Sequence, residues 1–192
     1  MADAALHAAR FPDARTRVLD AAESVILARG VPALTLEATA RFAGVSKGGL
    51  LHHFASKEAL LRALVERIAG ELDADWERAL ATASADRRPA TRAALAWAFH
   101  GAAEADARMM RRGAVLLAAH HHDPALLGPI RAFHARIRAA VEADAPRPGI
   151  GLAIIAACDG LFAAHLFGTW QPAPEEAGAI EAALAGLIGA AP

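Results

Sequence analysis

Apolar residues recur at spacings of three and four along most of the chain, the spacing that places side chains on one face of an α-helix. Four such runs follow one another between Thr16 and about Ala83, and later runs predict helices over residues 90–105, 107–121, 124–144, 148–169 and 174–189. No stretch shows the period of two that a half-exposed β-strand requires. The pattern therefore predicts an all-α fold of about nine helices.

Glycine and hydroxyl residues mark the expected helix ends in the first third of the chain. Gly30 is expected to end the first helix, and Gly44 stands where a sharp turn requires a positive φ angle. Thr35, Ser46 and Ser56 are expected to cap the next three helices, because a hydroxyl oxygen can accept a hydrogen bond from a first-turn N–H group. Three residues of the second helix are expected to face inward: Leu36, Ala40 and Phe42.

Two short helices joined by the turn "AGVS" predict a helix-turn-helix, in which the second helix enters the major groove of DNA. That helix begins at Ser46 and carries two adjacent glycines, Gly48 and Gly49, in its first turn. Glycine disfavours a helix by about 1 kcal/mol relative to alanine, so we expect close approach of the backbone to DNA to offset this cost. Four side chains near this helix are expected to meet phosphates or bases: Lys47, His52, His53 and Lys57.

The charge of the chain restricts where a DNA-binding surface can lie. The formal net charge is −1 over 192 residues, so such a surface must be local. The single cysteine, Cys158, excludes an intramolecular disulfide and fits a reducing compartment, and no secretory signal is evident. Residues 149–170 are apolar but contain Asp159 and His165, which favours a buried helix over a membrane span. A cytoplasmic protein without a membrane partner is expected.

The segment "LDAAESVILARGVPALTLEATARFAGVSKGGLLHHFASKEALLRALV", residues 19–65, resembles the DNA-binding domain of the TetR/AcrR family of bacterial transcriptional repressors. The resemblance implies an N-terminal arm at 1–14, a helix-turn-helix domain at 15–62 and a regulatory and dimerisation domain at 63–192. It implies that Thr35 anchors a phosphate and that the helix beginning at Ser46 lies in the groove. It also implies a homodimer that binds a palindromic operator in double-stranded DNA and releases it on binding a small, largely apolar effector.

Two positions depart from the commonest pattern of that family. Gly49 stands where threonine, serine or alanine is usual, and Leu51 stands where a DNA-contacting tyrosine is usual. Leu51 is expected to contact a thymine methyl group instead, so the operator sequence should differ. These departures leave open a different class of protein, a helical interaction protein whose helix-turn-helix is vestigial.

The C-terminal part carries its own signal for a dimer. Residues 150–167 are apolar nearly all round, so this helix must be covered on more than one side, either by a second copy or within one large monomeric core. The candidates for a dimer interface are Ile150, Ile154, Ala157, Leu161, Ala164, Ile180, Leu184 and Leu187.

Large or polar residues on otherwise apolar helices are the candidates for an effector site. They are Trp97, His100, Met109, Met110, Phe133, His134, Asp159, Phe162 and His165. The tract "HHHD" at 120–123 suggests a metal site. Adjacent helical residues point about 100° apart, however, so three histidines in a row cannot converge on one ion without help. No metal, cofactor or catalytic role is expected, because no catalytic or phosphate-binding motif appears.

Overall fold

The computed structural model describes residues 13–99 and 103–189, and in these ranges the chain forms nine α-helices and no strand. The helices are α1 Ala14–Arg29, α2 Leu36–Ala43, α3 Lys47–His53, α4 Lys57–Thr82, α5 Pro89–Phe99, α6 Ala103–His122, α7 Gly128–Asp144, α8 Ile150–Leu166 and α9 Pro174–Gly189. The all-α prediction is confirmed. The helix break predicted at residue 106 is wrong, because that residue lies inside α6.

Two compact units divide the chain. The first comprises the residues up to Ile68 together with Arg111–Leu127, and the second comprises Ala69–Met110 and Gly128–Pro192. Helices α4 and α6 each contribute residues to both units. The boundary expected after residue 62 stays a prediction: the first unit extends to Ile68 and also includes Arg111–Leu127, which the sequence assigned to the regulatory domain.

The caps of α2 and α3 are those that the local sequence predicts. In contrast, α1 begins at Ala14, within the arm expected over 1–14, and residues 1–12 of that arm lie outside the described residues. The Thr35 hydroxyl accepts a hydrogen bond from Ala38 N at 3.0 Å, and the Ser46 hydroxyl accepts one from Gly49 N at 3.0 Å. Gly44 has φ +65° and ends α2 in the left-handed region, which only glycine adopts without strain. These caps account for two short helices separated by a tight turn.

Helices α2 and α3 pack against α1 through a shared apolar core. Leu50 of α3 is fully buried, and Phe54 directly after it is buried as well. On α2, Ala40 is buried, but the inward prediction for Phe42 is wrong, since its side chain is 53% exposed. Positions 36 and 40 share a face, whereas position 42 is rotated about 200° from position 40 and turns outward.

In the second unit, a residue distant in sequence caps the start of α5. The Asp144 carboxylate accepts hydrogen bonds from Ala90 N at 2.7 Å and from Thr91 N at 3.1 Å, and the Thr91 hydroxyl also donates to it. Arg88 donates to the Asp144 carbonyl at 3.0 Å. The end of α7 therefore satisfies two of the free N–H groups of α5 and joins the two helices.

Close packing joins α7 to the start of α8. Glu142 accepts a hydrogen bond from Gly149 N at 2.8 Å, and Gly149 has φ +84°. A Cβ atom on Gly151 would lie 3.0 Å from the Cα atom of Glu142 and 3.0 Å from the carbonyl oxygen of Val141. Only glycine allows the two backbones to approach this closely.

Helix α8 buries one face and exposes another. Its buried face packs Ile154 against Leu95 of α5 and Ile188 of α9. Its outward face carries Leu152, Ala156 and Gly160, each exposed and four residues apart. None of the helices in the described ranges is both long enough and apolar enough to cross a bilayer.

Candidate nucleic-acid interface and effector region

The outward side of the helix-turn-helix carries the residues predicted to contact DNA. Eight of these nine are exposed, and the ninth, Lys57, is half-buried. The eight are Thr35, Ser46, Lys47, Gly48, Gly49, Leu51, His52 and His53. Leu50 and Phe54 turn to the core between them, so α3 has a buried inner face and a free outer face. The structure thus leaves the predicted recognition surface open to a partner.

The two capping hydroxyls at this surface each retain a proton that can be donated. Thr35 and Ser46 use an oxygen lone pair to accept the cap hydrogen bond, and both residues are exposed. A hydroxyl group that accepts one bond can donate another to a phosphate oxygen. Capping and phosphate binding are therefore compatible at both residues.

The two glycines of α3 differ in their surroundings. A Cβ atom on Gly49 would lie 3.2 Å from the Ser46 hydroxyl oxygen, a tight contact with the atom that caps α3. A Cβ atom on Gly48 would meet no neighbouring side chain or other element of the described chain within 4 Å. Neither residue has a positive φ angle. The protein itself therefore gives no steric reason for glycine at position 48.

Lys47, the first residue of α3, forms an ion pair across the turn. Its ammonium nitrogen lies 2.5 Å from Oε1 of Glu37 in the first turn of α2, and both side chains are mostly exposed. The hydrogen bond from Lys47 holds the pKa of Glu37 below its ordinary value, so this carboxylate is charged at neutral pH. This pair joins two helices across a turn, so the local sequence pattern did not predict it.

The far end of α3 presents an apolar residue followed by two imidazoles. Leu51 is 39% exposed, although the helix has a buried face on which it could have packed. The rings of His52 and His53 meet edge to face at a centroid distance of 5.4 Å. The surface thus combines apolar contact with hydrogen-bond donors, as base and phosphate recognition requires.

Three of the predicted effector residues meet in an aromatic group in the second unit. Trp97 lies 5.8 Å from Phe133 between ring centroids, and Phe133 lies 5.7 Å from His134. Trp76 adds a further ring 6.2 Å from Trp97. Trp76 was missed by the sequence analysis, although it continues the apolar spacing of Leu72 on the same helix.

The rings of this aromatic group differ in their exposure to solvent. Trp76 and Phe133 are both 3% exposed, whereas Trp97 is 36% exposed. The guanidinium of Arg136 stands over the Phe133 ring at 5.6 Å and is itself paired with Asp73. Trp97 is therefore the most exposed of these three rings.

The other effector candidates are not joined to this group by a described contact. Met109, Met110, Phe162 and His165 are half-buried, and Asp159 is exposed. His100 lies outside the described residues. Burial raises the pKa of the nearby Cys158 thiol to about 11, helped by the charge of Asp159, so this thiol is protonated at neutral pH.

One predicted dimer contact is corrected by the structure. Ile154 is fully buried against Leu95 and Ile188 of its own chain, so it has no surface to give to a partner. Ile150 and Leu184 pack on the edge of the same cluster. The remaining candidates, Ala157, Leu161, Ala164, Ile180 and Leu187, are half-buried.

The histidine tract ends α6 without forming a metal cluster. Asp123 accepts a hydrogen bond from Ala125 N at 2.8 Å and starts the short 3-10 helix Pro124–Leu127. Within the part of the chain that the structure describes, no three histidine, cysteine or acidic side chains are placed to hold one ion.

Two family profiles match most of the chain. Residues 18–64 match "Bacterial regulatory proteins, tetR family", and residues 88–189 match "Tetracyclin repressor-like, C-terminal domain". The uncharacterised HTH-type transcriptional regulator TtgW of Pseudomonas putida is 39% identical over 69 residues, which are 36% of this chain and 52% of TtgW. The matched segment thus spans about half the length of this relative.

Solved structures share the fold over nearly the whole chain. The regulator-like protein SCO7518 of Streptomyces coelicolor A3(2) superimposes with a TM-score of 0.71 at 24% identity, covering 93% of this chain and 100% of that one. The multidrug binding protein EbrR, solved with malachite green, gives a TM-score of 0.69 at 23% identity with the same coverage.

Proposed function

Because the chain belongs to the tetR family of bacterial regulatory proteins, we propose that it is a ligand-responsive transcriptional regulator that binds double-stranded DNA through α2 and α3. The outer face of α3 carries this proposal: Lys47, Leu51 and His52 are exposed beside the fully buried Leu50. A helix held by its inner face and free on its outer face has the form required to enter a major groove.

The proposed active form is a homodimer that represses transcription at a palindromic operator. The outward face of α8 supports a partner surface, because Leu152, Ala156 and Gly160 form an exposed stripe of apolar and small side chains. Two-fold symmetry would place two copies of α3 in successive major grooves, about one helical turn of DNA apart.

The proposed effector is small and largely apolar, and it binds in the second unit. The free surface of Trp97 beside buried Phe133 supports a ligand that carries an aromatic ring. Release of DNA follows if the effector favours a dimer in which the spacing of the two recognition helices no longer matches the operator.

Selection from a pool of randomised duplexes, followed by binding assays on the enriched duplex, tests DNA recognition directly. Lys47→Ala should weaken binding by about 1–3 kcal/mol, the range for one base or phosphate contact. Arg138→Ala is the matched control, because it removes one exposed positive charge from α7 in the second unit. Enrichment of no sequence by the wild-type protein, or equal effects of the two variants, would favour the vestigial interaction protein.

Sedimentation measures the dimer independently. Ala156→Glu should convert the protein to monomers, because it places a charge in the middle of the proposed interface. Ala135→Glu, at an exposed position of α7, should leave the mass unchanged.

Trp97→Ala should reduce the affinity for aromatic effectors found by screening, without changing DNA affinity in their absence.

A further inference from the structure

The pair formed by Glu37 and Lys47 places a negative charge beside the first residue of α3 on the proposed DNA surface. Glu37 lies in the first turn of α2 and Lys47 opens α3, and their side chains are 64% and 60% exposed. Polyanionic DNA disfavours a carboxylate at such a position. A glutamate there therefore needs a reason other than general attraction to DNA.

Capping does not explain Glu37. The Thr35 hydroxyl already caps α2, and the Ser46 hydroxyl already caps α3. Stability is a weak reason as well, because an ion pair between two well-exposed side chains contributes little. Lys47, moreover, stands at the positive end of the α3 dipole, where a cation is unfavourable, and Glu37 offsets that local conflict.

The geometry of the pair distinguishes two ways in which Lys47 can meet DNA. A lysine ammonium has three N–H donors, so the bond to Glu37 leaves two of them for acceptors such as O6 and N7 of guanine. In contrast, the charge that attracts a phosphate is already neutralised by Glu37 at 2.5 Å. The pair retains hydrogen bonding to bases while reducing attraction to the backbone.

We propose that Glu37 is a specificity-determining positioning residue, which holds Lys47 for a base edge and lowers the affinity of the protein for non-cognate DNA. Phosphate attraction is common to all sequences, whereas base contacts differ between them. Glu37 thus increases the ratio of operator to non-specific binding rather than the affinity itself. This inference rests on the proposed DNA-binding function.

The test compares two duplexes of the same length, the one selected by the wild-type protein and a scrambled version. Dissociation constants are measured by fluorescence anisotropy over roughly 50–200 mM salt for the wild type, Glu37→Gln, Lys47→Ala and the double variant. Glu58→Gln is the matched control, because Glu58 is an exposed first-turn glutamate of α4 that pairs with Arg62 of the same helix. Thermal unfolding of each variant verifies that it is folded.

Glu37→Gln should bind the scrambled duplex more tightly, on the order of threefold at the lowest salt, with a salt slope steeper by about 0.9 because Lys47 now neutralises one more phosphate. Affinity for the selected duplex should improve less, so the ratio of selected to scrambled affinity falls. The slope change should disappear when Lys47 is alanine, and Glu58→Gln should show none of it.

Glu37→Gln could leave the affinity ratio and the salt slope unchanged while Lys47→Ala still impairs recognition. That result would overturn the proposed role of Glu37 but not the DNA-binding proposal. A loss of affinity for both duplexes in Glu37→Gln would overturn it too, since Glu37 would then support binding in general. Failure of the wild type to bind either duplex in a salt-dependent manner would overturn the DNA-binding proposal as well.

Discussion

Arg67 of α4 is paired with Glu23 of α1 at the edge of the core of the first unit. Glu23 is only 8% exposed, and a second carboxylate, Asp20, accepts from the same guanidinium at 2.6 Å. The Arg67 Nε atom is buried without a hydrogen-bond partner. The helix that continues into the second unit is therefore joined to α1 by a largely buried charge rather than by apolar packing alone.

Loss of this arginine should destabilise the protein strongly. Arg67→Ala leaves Glu23 as an uncompensated buried charge, and we expect the free energy of unfolding to fall by about 3 kcal/mol. Arg62→Ala on the same helix breaks only the exposed pair with Glu58, and the expected loss is below about 1 kcal/mol. Urea denaturation of the two variants measures the difference, and equal losses would contradict the argument.

Gly151 should be the glycine least tolerant of alanine in α8. The added Cβ atom would meet backbone atoms of Val141 and Glu142 at 3.0 Å, so α7 and α8 must move apart at a cost of about 1–3 kcal/mol. Gly70→Ala is the matched control: Gly70 lies in α4, is exposed and has space for a Cβ atom. That variant should gain about 0.5–1 kcal/mol, as alanine favours a helix. Calorimetric unfolding measures the stability of both variants. If Gly70→Ala were destabilised as much as Gly151→Ala, the close backbone contact would not explain the loss.

Gly48→Ala should separate folding from DNA binding. Since no side chain or neighbouring element surrounds this position, the variant should be at least as stable as the wild type. Its affinity for the selected duplex should nevertheless fall, by about 1–3 kcal/mol, if the backbone of α3 approaches DNA at this point. Wild-type affinity in a stable Gly48→Ala protein would show that the glycine has no role in recognition.

Leu51 should make the protein sensitive to a single methyl group of DNA. Replacing each thymine of the selected duplex in turn by deoxyuridine removes only the C5-methyl group. At the position that Leu51 contacts, we expect a loss of about 0.8 kcal/mol, the value of one buried methyl group. Leu51→Ala should bind the thymine duplex and that deoxyuridine duplex with equal affinity. If no deoxyuridine position distinguishes the wild type from Leu51→Ala, the thymine contact is wrong.

The ends of α2 and α3 were predictable from the sequence because each depends on atoms a few residues apart. Thr35 and Ser46 each accept a bond from the residue three positions later, and Gly44 adopts its positive φ within the turn itself. Phe42 is exposed although it is hydrophobic, because its position on α2 faces away from Ala40. Periodicity is the safer guide where the two conflict.

Sequence alone determined the helical class, the order of the helices, the turn between α2 and α3, and the resemblance from which DNA binding was inferred. These follow from spacing, capping and residue identity, which act over a few positions. Tertiary structure alone decided that Glu37 reaches Lys47, that Asp144 caps α5, that Trp76 joins Trp97, and that Ile154 packs inside its own chain. Each of these contacts joins different helices, and how helices pack is set by the whole core rather than by any local pattern.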